Sequence, residues 1–232
     1  AGSGVGLARN RTALDSVALT PRYITEWKPV EMEVELFGRK YSRPFGIAPM
    51  GLASLQHPKA ELKFAAAGKK ANIPTCLSTA CTVDIEEFSD VAGENSWFQL
   101  YPPKSEEIND DLIKRAKESG YSTLFVTVDV PARGWRPRDM YNGLALPPRI
   151  TMSSLINSAM RPGWSLATLL NGIPHFKTLG RYSNNKSMRG MAEFVGQELG
   201  QMVTIDRLKR IRDQWKGPLV IKGVMHPADA EH

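Results

Sequence analysis

The chain has 232 residues, a net charge of +6 and 42% hydrophobic residues, enough for one globular domain with a sizeable core. No run of about 18 apolar residues occurs, so no membrane-spanning helix is expected, and the opening Ala1–Gly6 has neither the basic flank nor the apolar core of a signal peptide. That opening reads as an interior cut or a processed end. Cys76 and Cys81 are the only cysteines and read as free thiols in a reducing, cytoplasmic compartment. The four histidines show no ligand spacing with them, so no metal is expected. The basic residues are not interleaved with a nucleic-acid recognition motif, so no nucleic-acid partner is expected either.

A short helical piece ends near Asp15. Met32–Leu36 alternates, and Phe37-Gly38-Arg39-Lys40 reads as a hairpin turn. A regular rhythm then begins. Phe45–Ala48 reads as a first buried strand, followed by a helix from about Pro58 to Ala71. Pro74–Leu77 is a second strand, followed by a short helix near Val83–Val91. Trp97–Leu100 is a third, followed by a helix over Ser105–Ser119 that ends at Gly120. Thr123–Val128 is a fourth strand. Residues 131–195 read as a long irregular stretch. A helix N-capped by Thr204 and a fifth strand, Leu219–Ile221, complete the chain.

Apolar strands that do not alternate, separated by helices, indicate a parallel sheet covered by helices. Both a doubly wound sheet and a closed barrel satisfy that pattern. The polar residues favour the barrel. Each strand ends in groups able to do chemistry: Pro49-Met50-Gly51, Ser78-Thr79, Gln99 with Tyr101, Thr127 with Asp129, and Lys222. A (β/α)8 TIM barrel builds its site from the carboxyl ends of successive strands. Strands 1–5 of such a barrel are expected here. A full barrel takes about 250 residues, so the chain reads as a piece of a longer sequence. Taken one at a time these groups are weak signals, since Gln99 could be a satisfied core amide and Lys222 a surface lysine. Asp129, between Val128 and the strand-ending Val130-Pro131, is sharper, because a carboxylate there calls for a cation or an imidazole to orient.

Together, "RNRTALDSVALTPRYI", "PFGIAPMGLASLQHPKAE", "LSTACTVDIEE", "WFQLYPPK", "LFVTVDVPARGWRPRDMYNG" and "PLVIKGVMHPADA" resemble the FMN-dependent α-hydroxy acid dehydrogenase/oxidase family, in order and along nearly the whole chain. The resemblance implies oxidation of an L-2-hydroxy acid, lactate- or mandelate-like, to the 2-oxo acid, with FMN as cofactor. It places Pro49, Met50 and Gly51 against the flavin ring, and Ser78, Gln99 and Thr127 along its pyrimidine edge. Lys222 falls near N1 and O2, where a fixed ammonium stabilises reduced flavin. Tyr101 and Arg136 face the substrate, and Asp129 orients a catalytic histidine. In the family that histidine and a clamping arginine lie in a motif after strand six, beyond the end of this sequence. Two other readings remain: another FMN- or phosphate-binding barrel enzyme, and a non-catalytic fragment or pseudoenzyme. A homo-oligomer is expected for the full-length protein.

Between Met140 and Ala192 there is no Asp or Glu, yet Arg149, Arg161, Lys177, Arg181, Lys186 and Arg189 all occur. Interleaved with them are Leu155, Ile156, Trp164, Leu166, Leu169, Leu170, Ile173 and Phe176. One reading is an active-site lid with a solvated basic face. The other is peripheral membrane contact through residues 152–190, apolar side in the lipid boundary and cations on anionic headgroups. "MRPGWSLATLLNGIPHF" is similar to the corresponding loop of membrane-associated members of the family. That favours a dehydrogenase on the inner face of the cell membrane, passing electrons to a quinone, over a soluble oxidase.

Overall fold

A computed structural model describes residues 3–132, 134, 137–141 and 151–231. Helix α1 (Val5–Asp15) buries no residue. Strands β1 (Val34–Leu36) and β2 (Arg39–Tyr41) form an antiparallel hairpin. Its two turn residues, Phe37 and Gly38, both have positive φ, 55° and 79°, as a two-residue turn of matching twist requires. Next come α2 (Ala60–Ala71), β3 (Thr75–Ser78), α3 (Ile85–Ala92), β4 (Ser96–Leu100), α4 (Glu106–Glu118) and β5 (Thr123–Thr127). The chain continues through α5 (Pro137–Tyr141), α6 (Met152–Ala159), α7 (Pro162–Asn171), α8 (Met188–Glu198), α9 (Ile205–Gln214), β6 (Leu219–Lys222) and α10 (Pro227–Ala230).

β3, β4, β5 and β6 form one parallel sheet in that order. Sequential neighbours without a reversal of order are the barrel pattern; a doubly wound sheet would switch direction partway. The expected first strand, Phe45–Ala48, is reduced to a single bridge. Ile47 donates to the Pro74 carbonyl at 2.9 Å and accepts from the Cys76 amide at 3.0 Å. Two prolines, Pro44 and Pro49, bracket it without N–H groups to offer. Gly46 is required beside it, since a Cβ there would lie 2.6 Å from the Pro74 carbonyl oxygen.

The expected irregular stretch 131–195 instead carries helices α6, α7 and α8 among its described residues. α6 has a capping box of Thr151 and Ser154, α7 opens on Pro162, and α8 is capped by the Ser187 hydroxyl. Helices α4 and α9 begin as expected, with Ser105 and Thr204 accepting from the amides of Ile108 and Arg207.

Alternation along the strands creates two unlike faces. Leu77, Phe98, Leu100, Leu124 and Val126 point outward and pack with Ile85, Phe88, Leu112 and Ile113 of α3 and α4, all but closed to solvent. Truncating a core aromatic such as Phe98 to Ala costs about 3–5 kcal/mol in a setting like this. The opposite face carries Trp97, near the amino end of β4, and Phe125, midway along β5, their rings stacked 5.4 Å apart. Tyr41 of the hairpin closes on them, its hydroxyl accepting from Trp97 Nε1 at 3.2 Å. Ser78, Gln99, Thr127 and Lys222 share this second face at its other end.

Candidate active site at the strand ends

The register sets Ser78 opposite Gln99 and Thr127 opposite Lys222. Ser78 Oγ donates to Gln99 Oε1 at 2.8 Å, and Gln99 Nε2 donates to Thr127 Oγ1 at 2.8 Å. All three are buried, with Gln99 only 1% exposed. The amide oxygen faces Ser78 and the amide nitrogen faces Thr127. Gln99 Nε2 retains a second hydrogen and Thr127 keeps its hydroxyl hydrogen. With the Lys222 ammonium at the end of the row, three donors of graded strength therefore line one edge.

The flanking loops are tied to this row. Thr79 Oγ1 donates to the Gln99 carbonyl at 2.6 Å and accepts from the Tyr101 amide at 3.0 Å, which seats the half-buried Tyr101 just past β4. Leu52, in the left-handed region at φ 51°, donates its amide to the Ala80 carbonyl at 2.9 Å. This holds Pro49, Met50 and Gly51 beside the end of β3, with Met50 and Gly51 exposed. Lys222 Nζ lies 3.7 Å from Asp129 Oδ2, both side chains well exposed. Gly223 makes that approach possible, at φ +105° and with Asp129 Cβ only 2.5 Å from where a Cβ would stand. The structure thus gathers Ser78, Gln99, Thr127, Lys222 and Asp129, with Tyr101 and the Pro49–Gly51 loop alongside. Arg136 and Arg149 lie outside the described residues.

Both cysteines are free and buried. Burial pushes the Cys81 thiol up to about 12. It raises Cys76 further still, with the Lys222 charge opposing in part. Neither is a nucleophile at neutral pH. Among the described residues no cluster of His, Cys, Asp and Glu could hold a metal ion.

One feature escaped the sequence reading. Glu61, Ser54 and Thr82 form a buried hydrogen-bonded cluster beside the row. The signal was present, since Glu61 shares the buried face of α2 with Ala65 and Gly68, where the 3.6-residue period leaves a carboxylate among small apolar groups.

The segment 152–190 divides in two. Met152, Leu155, Ile156, Leu166, Leu169, Leu170 and Ile173 are exposed on α6, α7 and the turn beyond, with Leu169 at 80%. Trp164 anchors α7, its Nε1 donating to the Leu55 carbonyl at 3.0 Å. The remainder is docked on the protein. Phe176 and Leu179 enter the core, so Phe176 is not available to an interface as expected. The basic residues are partly paired within the chain. Lys177 pairs with Glu87 at 3.0 Å and Asp84 at 3.6 Å, Arg181 with Glu86 at 3.9 Å, and Arg189 with Glu193 at 2.9 Å. Lys186 is bonded to the Arg181 carbonyl at 2.9 Å. Four of the six cations are thereby engaged with this chain. No helix among the described residues is long and apolar enough to cross a membrane.

Comparison with known proteins agrees with this geometry. L-lactate dehydrogenase of a Caulobacter species is 34% identical over 229 residues, covering 97% of this chain and 60% of the relative. That of Vibrio parahaemolyticus is also 34% identical over 229 residues, with the same coverage. Among solved structures, the monotopic membrane protein (S)-mandelate dehydrogenase superposes with a TM-score of 0.92 at 29% identity, covering 99% of this chain and 61% of its own. A mandelate oxidase bound to (S)-4-hydroxymandelic acid gives 0.75 at 31% identity, covering 99% of this chain and 59% of its own. The chain therefore spans about 60% of the length of the curated relatives it matches, and the four parallel strands are part of a (β/α)8 barrel. The sequence profile described as FMN-dependent dehydrogenase matches residues 1–232, and the chain belongs to that family.

Proposed function

We propose that the protein oxidises an L-2-hydroxy acid, lactate- or mandelate-like, to the 2-oxo acid, with FMN as its cofactor. The observation that carries the reading is the hydrogen-bonded row Ser78–Gln99–Thr127 ending at Lys222. Its chemistry fits a flavin, whose pyrimidine edge alternates carbonyl oxygens with ring nitrogens along one line. The spare Gln99 N–H, the Thr127 hydroxyl and the Lys222 ammonium match that edge, and the exposed Gly51 lies beside Ala80, two residues past Ser78. When bound, FMN supplies a two-electron acceptor.

The residues of this chain supply part of the remaining machinery, with the base and a second arginine expected outside it. Lys222 holds positive charge at the end of the row, favouring the more negative, reduced state of a ring seated there. The Gln99 amide, locked by its neighbours, positions the ring without reorganising. Asp129 keeps an exposed carboxylate at the same strand ends, able to orient an imidazole and hold it basic. Tyr101 and Arg136 are assigned to the substrate, Arg136 to its carboxylate, which a guanidinium meets in bidentate fashion.

The exposed helices α6 and α7 support peripheral lipid contact in the same protein, with a membrane quinone as the onward acceptor. Their apolar side chains sit beside the site, because Trp164 ties α7 to the turn that follows Gly51. The test uses the full-length protein. It should purify with FMN, and L-lactate or (S)-mandelate should bleach the flavin anaerobically while the D-enantiomer of lactate does not. A folded protein that takes up no FMN sinks the reading.

A further inference from the structure

Glu61 lies in the first turn of α2 with 3% of its surface exposed. Its Oε1 accepts from the Thr82 amide at 3.1 Å and the Thr82 hydroxyl at 2.9 Å, and its Oε2 accepts from the Ser54 hydroxyl. The single Thr82 hydroxyl hydrogen is shared with Ser54 Oγ, 2.6 Å away. The donors come from two different loops. Ser54 sits in the turn that follows Met50 and Gly51, and Thr82 in the loop that follows Ser78. Met50, Glu61 and Ser78 line one cavity, together with Phe64 of α2 and the rest of β3.

A buried carboxylate is costly unless its lone pairs are filled by donors. The start of α2 favours the negative charge, but the donors are supplied jointly, and only while the two loops keep this separation. We propose that Glu61 is a positioning residue that sets the distance between the Pro49–Gly51 loop and the Ser78 end of the polar row. It touches neither cofactor nor substrate. It acts through Ser54 on one wall of the flavin site and through Thr82 on the other. The inference rests on the FMN reading for its purpose, though not for the clamp itself.

The experiment compares Glu61→Gln, Glu61→Asp, Glu61→Ala and Ser54→Ala in the full-length protein. Three quantities are read: the FMN dissociation constant, the visible circular dichroism of bound flavin, and hydrogen exchange of peptides 49–56 and 79–83 before FMN is added. Glu61→Asp, one methylene short of spanning both loops, and Glu61→Ala should weaken FMN on the order of tenfold or more, the scale of one lost charge-assisted hydrogen bond. Both should alter the dichroism and speed exchange in the two peptides together. Glu61→Gln, of equal length, should bind FMN nearly as well as wild type. Should Glu61→Ala not fold, Ser54→Ala decides, with several-fold weaker FMN and faster exchange at 49–56 expected. Unchanged FMN affinity and unchanged loop exchange in the folded variants overturn the proposal, as does a uniform rise in exchange across the protein. A wild type that binds no FMN refutes the cofactor reading alone, and the exchange pattern still judges the clamp.

Discussion

Lys222 and Asp129 face each other across the end of the β5–β6 pair, Nζ to Oδ2 at 3.7 Å, with both side chains more than a third open to solvent. The ammonium proposed to stabilise reduced flavin thus also bears on the carboxylate proposed to orient the base. Replacing Lys222 with Met in the full-length, FMN-loaded enzyme should lower the flavin potential and slow reduction by roughly 10²-fold or more, the cost of losing one preorganised charge. The fold should persist, since the side chain is not in the core. Dye-equilibration potentials and stopped-flow bleaching check both halves, and unchanged kinetics would remove Lys222 from the site.

Gly223→Ala should move Asp129 rather than the strand. The new methyl group meets Asp129 at 2.5 Å on a backbone already at φ +105°. About 1–3 kcal/mol of stability should be lost to the strained conformation. Turnover should fall further than FMN binding, because the displaced group serves the base and not the ring. Equal losses in both would place Asp129 elsewhere in the chemistry.

Gln99→Leu strands the Ser78 and Thr127 hydroxyls that the amide now joins. Buried groups left unpaired cost about 1–3 kcal/mol, readable as a lower urea midpoint at constant slope. Bound FMN should be lost in parallel. A variant that keeps wild-type stability and flavin would mean the row is not a connected unit.

Acid should loosen the strap that docks residues 176–183. Arg115 grips Glu86 with two hydrogen bonds, 2.8 and 2.9 Å, and holds its carboxyl down from 4.5 to about 2. A depressed carboxylate stabilises the fold fully above the unfolded value. The contribution fades as pH drops from about 4.5 toward 2. Because the Glu86 side chain is 48% exposed, solvent screening holds the gain to about 1 kcal/mol or less. Arg115→Ala should flatten that stretch of the stability–pH curve and accelerate proteolysis near Lys177 and Arg181. An unaltered curve would assign the acid response to other carboxylates.

Much of this was legible in the sequence. β3 to β6 and helices α2, α3, α4 and α9 follow from apolar runs and from helices stopped by capping residues. The strand-end groups follow from the parallel pattern, because it puts each strand's last polar residue at one end of the sheet. Other features were not readable. Phe45–Ala48 has the composition of a strand, but Pro44 and Pro49 leave Ile47 as the one residue that pairs. Helix α7 does carry a helical pattern, Leu166, Leu169 and Leu170 at i, i+3 and i+4 opposite Ser165, Thr168 and Asn171, but its apolar face is exposed rather than packed on the core. The ion pairs of Lys177 and Arg181 join α3 to a segment roughly ninety residues later. Sequence reading saw cations without nearby anions and could not see the anions brought to them.

With Lys177, Arg181, Lys186 and Arg189 engaged within the protein, attachment through α6 and α7 should depend on buried hydrocarbon more than on charge. Sedimentation with liposomes should fall only shallowly between low and physiological salt. It should be abolished by Leu169→Asp with Leu170→Asp, and by deleting residues 152–173. A steep salt dependence would restore an electrostatic mode, and no sedimentation at any salt would leave α6 and α7 as a cover for the site.

The stacking of Trp97 on Phe125 has an optical consequence. Trp97 precedes Gln99 by two positions on the same face of β4, about 7 Å along the strand. Its indole is therefore close enough to a flavin seated on the polar row for its emission to be drained by energy transfer. The chain has five tryptophans, so the share of the emission lost on loading FMN that Trp97→Phe removes would be the part reporting this end of the site, with no substrate and no turnover.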